Sequence, residues 1–245
     1  MSAARRPRGV VFDLDGTLVD SMPIVVAGLT AAVAPYRRRP SPAAVLAALG
    51  GPSDACVRRL LGSRRHLPAA LAAYLGYLDR HEGRIRPFRG APRLLADLRA
   101  AGIPRGIWTG RERRSTLARL RALAWEPEFD ALVCGDDLRS HKPDPAGLLR
   151  IVRRWRCRPA EVVFVGDSDQ DLAGGVAAGA TVIAISNGRR LAAGLARRAA
   201  AVVATPAEAY ARVRALVLTG AVDRARPPTR LDPGRFGRRK SSRDR

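Results

Sequence analysis

Five short apolar runs, each closed by a turn signal, punctuate this chain and predict parallel β-strands. They cover residues 9–12, 103–109, 131–134, 161–165 and 180–185. Helix-period segments lie between them at 91–101, 113–124, 145–154 and 170–178. Strands alternating with helices predict an α/β fold: a doubly wound parallel sheet covered on both faces. Residues 201–204 add a prospective edge strand and 206–218 a last helix. No internal repeat is visible.

The first crossover breaks this rhythm. Ninety residues separate the first run from the second, far more than a βα connection needs. Residues 22–86 are rich in Ala and Leu, and Pro, Gly and basic clusters divide them near 35–42, 50–52 and 62–68. They read as an inserted helical cap with hinges near 19–23 and 83–90. The expected division is a discontinuous core of 1–21 and 87–220, a cap of 22–86, and a basic, disordered tail of 221–245. A lid beside the ligand-binding edge of a sheet can close over substrate and exclude water.

The formal charge of +22 invites a nucleic-acid reading, and composition argues against it. Only Lys142 and Lys240 are lysines; the remaining basic residues are arginines, in a chain rich in Ala, Gly, Pro, Leu and Val. That pattern fits a coding bias at exposed positions, and no aromatic-interleaved basic motif or zinc finger accompanies it. The tail alone holds nine Arg or Lys against three Asp, or +6 of the total. Specific nucleic-acid binding is not expected. Cys56, Cys134 and Cys157 are few and unevenly spaced, so neither a disulfide framework nor a zinc cluster is implied. No apolar stretch approaches the ~18–20 residues that span a bilayer, and Met1–Arg8 runs into the first strand without a signal-peptide core. A cytoplasmic protein is expected. Nothing indicates its oligomeric state.

Candidate chemistry gathers at the strand ends. Asp13 and Asp15 close the first run, in Asp13-Leu14-Asp15-Gly16-Thr17. Side chains two apart on a strand point the same way, so both carboxylates are expected to project together at the end where open α/β sheets bind ligands. Crowded carboxylates need a cation or a shared proton, and one can then stay ionised while the other donates. Thr109 ends the second run, offering a hydroxyl to a phosphate oxygen. Lys142, the one lysine before the tail, sits in the rigid turn His141-Lys142-Pro143-Asp144-Pro145. A compact ammonium suits a site crowded with carboxylates better than a broad guanidinium. Asp167 and Asp171 follow the fourth run; alone they read as helix-capping acids, but opposite Asp13 and Asp15 they supply hard oxygen ligands of the kind Mg²⁺ prefers.

In this order the four signals resemble the haloacid dehalogenase-like (HAD) hydrolase superfamily, over roughly residues 9–218. The resemblance is to the branch with a helical cap after the first strand, phosphoglycolate phosphatase-like enzymes with a Rossmann-like core. Asp13 to Thr17 match the first motif, Thr109 the second, Lys142-Pro143 the third, and Gly166 to Asp171 the fourth. The resemblance implies an Mg²⁺-dependent phosphatase acting on a small phosphorylated metabolite. Asp13 would attack phosphorus to form an aspartyl-phosphate, and Asp15 would serve as general acid and base. The Asp13 carboxylate, the Asp15 backbone carbonyl and Asp167 would hold the metal, with Asp171 in support. Thr109, Gly110, Lys142 and backbone amides around Leu14–Gly16 would hold the phosphoryl group. By analogy with capped relatives, Gly51, Arg58 and Arg59 are prospective cap contacts, an arginine there suiting a substrate carboxylate. Gly110 departs from the usual Asn or Ser, and Arg111 is a candidate to compensate. Gly174 and Gly175 replace alanines usual after the fourth motif, and Asp169 is an extra, solvent-facing acid. Two alternatives stay open: a phosphomutase of the same fold, and a catalytically idle domain that binds nucleic acid or a partner.

Overall fold

The computed structural model describes residues 7–219. Strand β1 (Gly9–Phe12) is followed by the two-residue β2 (Val19–Asp20) and four helices: α1 (Met22–Val33), α2 (Pro42–Ala47), α3 (Ser53–Leu61) and α4 (Leu67–His81). The chain returns through β3 (Arg86–Pro87) and α5 (Ala91–Ala100) to β4 (Arg105–Trp108), α6 (Arg113–Ala122), β5 (Ala131–Val133) and α7 (Ala146–Arg154). Then come β6 (Val162–Gly166), α8 (Asp169–Ala178), β7 (Thr181–Ile185), the single-turn α9 (Ala193–Ala196), β8 (Ala201–Val203) and α10 (Pro206–Arg214).

Six strands form one parallel sheet in the order β5-β4-β1-β6-β7-β8. β1 is central and wholly buried. Val10 and Phe12 join the core on one face, Val11 the core on the other, so the run reads as unbroken apolar rather than alternating. Strands spread from β1 to β4 and β5 on one side, then jump to β6 on the other. The crevice at the C-terminal ends of β1, β4 and β6 is therefore the switch point at which such sheets bind ligands. All predicted strands are present, with ends displaced by up to two residues. The prospective tail lies outside the described residues.

Helices α1–α4 build an apolar cluster of their own around Leu29, Val33, Val45, Val57, Ala70 and Tyr74, apart from the two sheet-face clusters. The chain enters and leaves them through an antiparallel ribbon, with Val19 opposite Pro87 and Asp20 opposite Arg86. This ribbon stands where hinges are expected; two-residue strands are too short to show as a periodic pattern.

Gly174 and Gly175 do more than loosen α8. A Cβ on Gly174 would lie 2.6 Å from the Trp108 ring, and one on Gly175 would lie 2.7 Å from Phe164 and Val182. Their helix penalty of about 1 kcal/mol each is offset by seating α8 directly on the sheet. Among the described residues, no helix is long and apolar enough to cross a membrane.

Candidate active site

Asp13 follows β1, its N–H bonded to the Val165 carbonyl at 2.8 Å, which anchors it to the neighbouring strand. Lys142 arrives on the loop after β5 and is buried. Its Nζ stands 2.8 Å from Asp13 Oδ1 and 2.6 Å from Asp171 Oδ1, and the rings of Trp108 and Phe164 flank it at 4.8 and 5.5 Å. One carboxylate oxygen each from Asp13, Asp167 and Asp171 lies within 4.8 Å of the others. Asp171 divides its labour. Oδ2 accepts from the Ser168 hydroxyl at 2.5 Å and its amide at 3.0 Å, closing the capping box of α8, while Oδ1 faces Lys142. The capping reading of this acid is met, and its second oxygen lies in the acidic cluster.

The packing shifts these groups in a consistent direction. Burial pushes the Asp13 carboxyl well above the usual range; Lys142 pulls it back, while Asp171 and Asp167 push it up again. Burial, with Asp171, lifts Asp167 to about 7 against the pull of Arg189. Burial alone would lower Lys142, but Asp13 and Asp171 raise it, so it stays cationic. Three clustered carboxylates outnumber the two cations that reach them, Lys142 and Arg189, and their oxygens are the hard donors a divalent cation such as Mg²⁺ takes. The donor set fits that ion.

Asp15 corrects an expectation. β1 ends at Phe12, so the two-residue alternation stops before Asp15, and its carboxylate stands outside the acidic cluster. It lines the same cavity but is gripped by Arg111 Nε and Nη2 at 2.9 and 3.1 Å and by Arg119 Nη1 at 3.3 Å. Burial would raise this carboxyl; Arg111 and Arg119 instead hold it well below the usual range. The like charges that crowd Asp13 are therefore Asp171 and Asp167, and any metal contact from Asp15 falls to its backbone carbonyl. Gly16 is also corrected as a phosphate donor, since its N–H is taken by the Val19 carbonyl at 2.9 Å. Its role is steric: at φ +81° it adopts a left-handed turn, and a Cβ would lie 2.3 Å from Asp167 Oδ2.

The helical segment supplies the opposite wall. A cavity of about 150 Å³ is lined by Asp13, Asp15, Thr109, Lys142, Asp167 and Asp171 from the sheet side, and by Gly50, Gly51, Ser53 and Tyr74 from the helices. Thr109 is buried, its Oγ1 accepting from the Arg111 N–H at 3.2 Å. Gly110 faces Gly51: a Cβ at 110 would lie 3.3 Å from the Gly51 carbonyl oxygen, a tight contact that a shift of a few tenths of an ångström would relieve. Glu112 fastens the two parts together, accepting from the Ser53 amide and hydroxyl, each at 3.0 Å. Arg58 and Arg59 do not line the cavity. Both are exposed, and Arg59 Nη1 donates to the Ala48 and Gly50 carbonyls at 2.9 and 2.6 Å, shaping the loop from behind. Arg111 does not replace a side chain at 110; its fork is spent on Asp15.

Several site residues escape sequence reasoning. Arg119 is fully buried between Asp15 and Glu82, which it meets at 2.5 and 2.6 Å. One signal existed: it falls three residues after Thr116 and next to Leu120, on the buried stripe of α6. Asn187 and Arg189, in the turn after β7, both reach Asp167 Oδ2, at 3.2 and 2.5 Å. Asn187 also donates to the Gly16 carbonyl at 2.8 Å, tying three strand-end loops together. Asp169 is exposed, as expected.

Residues 10–185 match the family model described as haloacid dehalogenase-like hydrolase, and the chain belongs to that family. It is a phosphatase within it, a phosphoric monoester hydrolase. Phosphoglycolate phosphatase 1 of Pseudomonas aeruginosa is 34% identical over 196 residues, covering 76% of this chain and 72% of its own. An N-acetylmuramic acid 6-phosphate phosphatase from the same organism is 30% identical over 188 residues, covering 75% and 83%. In fold, the chain is similar to a predicted phosphoglycolate phosphatase from Haemophilus somnus 129pt: TM-score 0.77 at 20% identity, covering 86% of this chain and all of that one.

Proposed function

We propose that the protein hydrolyses a compact, anionic phosphomonoester of the phosphoglycolate type, with Mg²⁺ and through an aspartyl-phosphate at Asp13. The observation that carries this reading is the meeting of Asp13, Asp167 and Asp171 around one buried ammonium in the same cavity as Asp15 and Thr109. In the first half-reaction an Asp13 carboxylate oxygen bonds to phosphorus as the ester P–O bond breaks, and the leaving oxygen takes a proton from Asp15. In the second, water attacks the phosphoryl group, Asp15 takes its proton, and the bond to Asp13 breaks to release phosphate. Asp13, Asp167 and Asp171 would hold the metal, which would screen the repulsion between Asp13 and the incoming dianion. Lys142, Thr109 and the amides of Leu14 and Asp15 would hold the phosphoryl oxygens.

Asp15 gripped by Arg111 is ionised, the form that accepts a proton in the second half-reaction. A substrate carboxylate that draws Arg111 toward itself would favour the protonated form needed in the first. That assigns recognition of the second anionic group to Arg111, on the cavity wall, rather than to Arg58 or Arg59. Helices α1–α4 act as the cap in this reading, with the contact between Glu112 and Ser53 as its fastening.

The test is phosphate release across a panel of phosphorylated metabolites, with Mg²⁺ and with EDTA. Phosphoglycolate is expected to rank first and EDTA to stop turnover. Equal turnover with and without EDTA would reject the metal reading, and product carrying a relocated phosphate would point to a mutase.

A pH dependence follows from Asp167. Below its value of about 7 this carboxyl binds a proton that a metal must displace. Metal affinity is therefore expected to fall as pH drops through 7, by about tenfold per unit for each displaced proton. Mn²⁺ titrations between pH 5.5 and 8.5 check this; a flat profile would show that Asp167 is not a ligand.

A further inference from the structure

Arg189 sits on a carboxylate that the metal reading also requires. Its Nη2 lies 2.5 Å from Asp167 Oδ2 and 2.5 Å from the Asp167 carbonyl oxygen, and its side chain is about one-third exposed on the cavity wall. Charge decides whether guanidinium and divalent ion can share that carboxylate. Once ionised, as metal binding requires, Asp13, Asp167 and Asp171 would carry three negative charges together, and Lys142 one positive charge in the same cluster. A divalent ion brings the group to neutrality. Adding Arg189 would then leave a surplus positive charge beside the ion in a buried site, where like charges repel strongly. The guanidinium also has somewhere to go, because its loop opens onto the cavity and onto solvent.

We propose that Arg189 is an internal competitor for the metal. It neutralises Asp167 until a divalent ion displaces it, and so weakens the metal affinity of this enzyme. The inference rests on the reading of the acidic cluster as a divalent-cation site. Nothing in the sequence marked it, because one more arginine in an Arg-Arg pair, Arg189-Arg190, carries no signal in this chain.

The test compares Mn²⁺ binding to the EDTA-stripped, desalted full chain and to two variants, Arg189→Met and Arg189→Gln, by the electron paramagnetic resonance signal of free Mn²⁺. Both variants remove the charge; methionine keeps an unbranched chain, and glutamine keeps a donor. Removing the guanidinium is expected to tighten Mn²⁺ binding about tenfold or more. Thermal melts of the stripped proteins establish that each is folded. Unchanged or weaker Mn²⁺ affinity in a folded variant overturns the proposal while leaving the metal site in place. Failure of the wild-type chain and both variants to bind Mn²⁺ would overturn the metal reading, and the inference with it.

Discussion

Asp13→Asn is expected to abolish phosphoglycolate turnover, by at least about 10⁴-fold as for other removed nucleophiles, without loss of fold. Asparagine keeps the shape of the side chain and removes the negative charge that makes its oxygen a nucleophile. The fold should hold because Lys142 keeps Asp171 at 2.6 Å, and the strand packing of β1 does not involve the residue 13 side chain. The buried Asp13 carboxyl is already disfavoured as an anion by burial and by Asp171 and Asp167. Neutralising it relieves that repulsion, so the melting temperature is expected to stay level or rise. Phosphate release and rapid-quench labelling from a radiolabelled substrate read the chemistry, and a thermal melt reads the fold. A folded variant that retains one-hundredth of wild-type turnover would dismiss Asp13 as the nucleophile.

Lys142→Met is expected to do both kinds of damage. It strips the ammonium that Asp13 and Asp171 share, and breaking a buried ion pair from one side costs about 3–5 kcal/mol. Turnover should fall by about 10³-fold, since a phosphate-holding charge goes as well. Lys142→Arg is the sharper test. The pocket between Trp108 and Phe164 is shaped for a point charge 2.6–2.8 Å from two carboxylates, and a planar fork needs more room. Arginine is therefore expected to restore charge without restoring turnover. Full activity in Lys142→Arg would show that only net charge matters here.

The sheet was legible because its strands are buried on both faces and each ends in a turn signal. The acids and the lysine were legible because their chemistry demands uncommon residue types at strand ends. Geometry beyond the strand was not. Asp15 was misplaced because alternation was carried past Phe12, where β1 stops, and nothing local shows that two arginines from 96 and 104 residues away would claim it. Arg119 and Arg189 are hidden by the same cause: in an arginine-rich chain, only tertiary contact tells a paired guanidinium from a solvated one. Arg58 and Arg59 show the converse, being placed by analogy at a cavity they do not reach. Gly110 stands out in the sequence as a missing hydrogen bond, and only the fold shows that it packs against the Gly51 carbonyl.

Asp171 joins two economies of the molecule. The oxygen that starts helix α8 and the oxygen that braces Lys142 belong to one carboxyl group, so in the proposed reading local fraying of that helix and disassembly of the reaction centre would be a single event. Enzyme that is momentarily open there is momentarily inert, and amide exchange at the first turn of α8 should report the same population that fails to react.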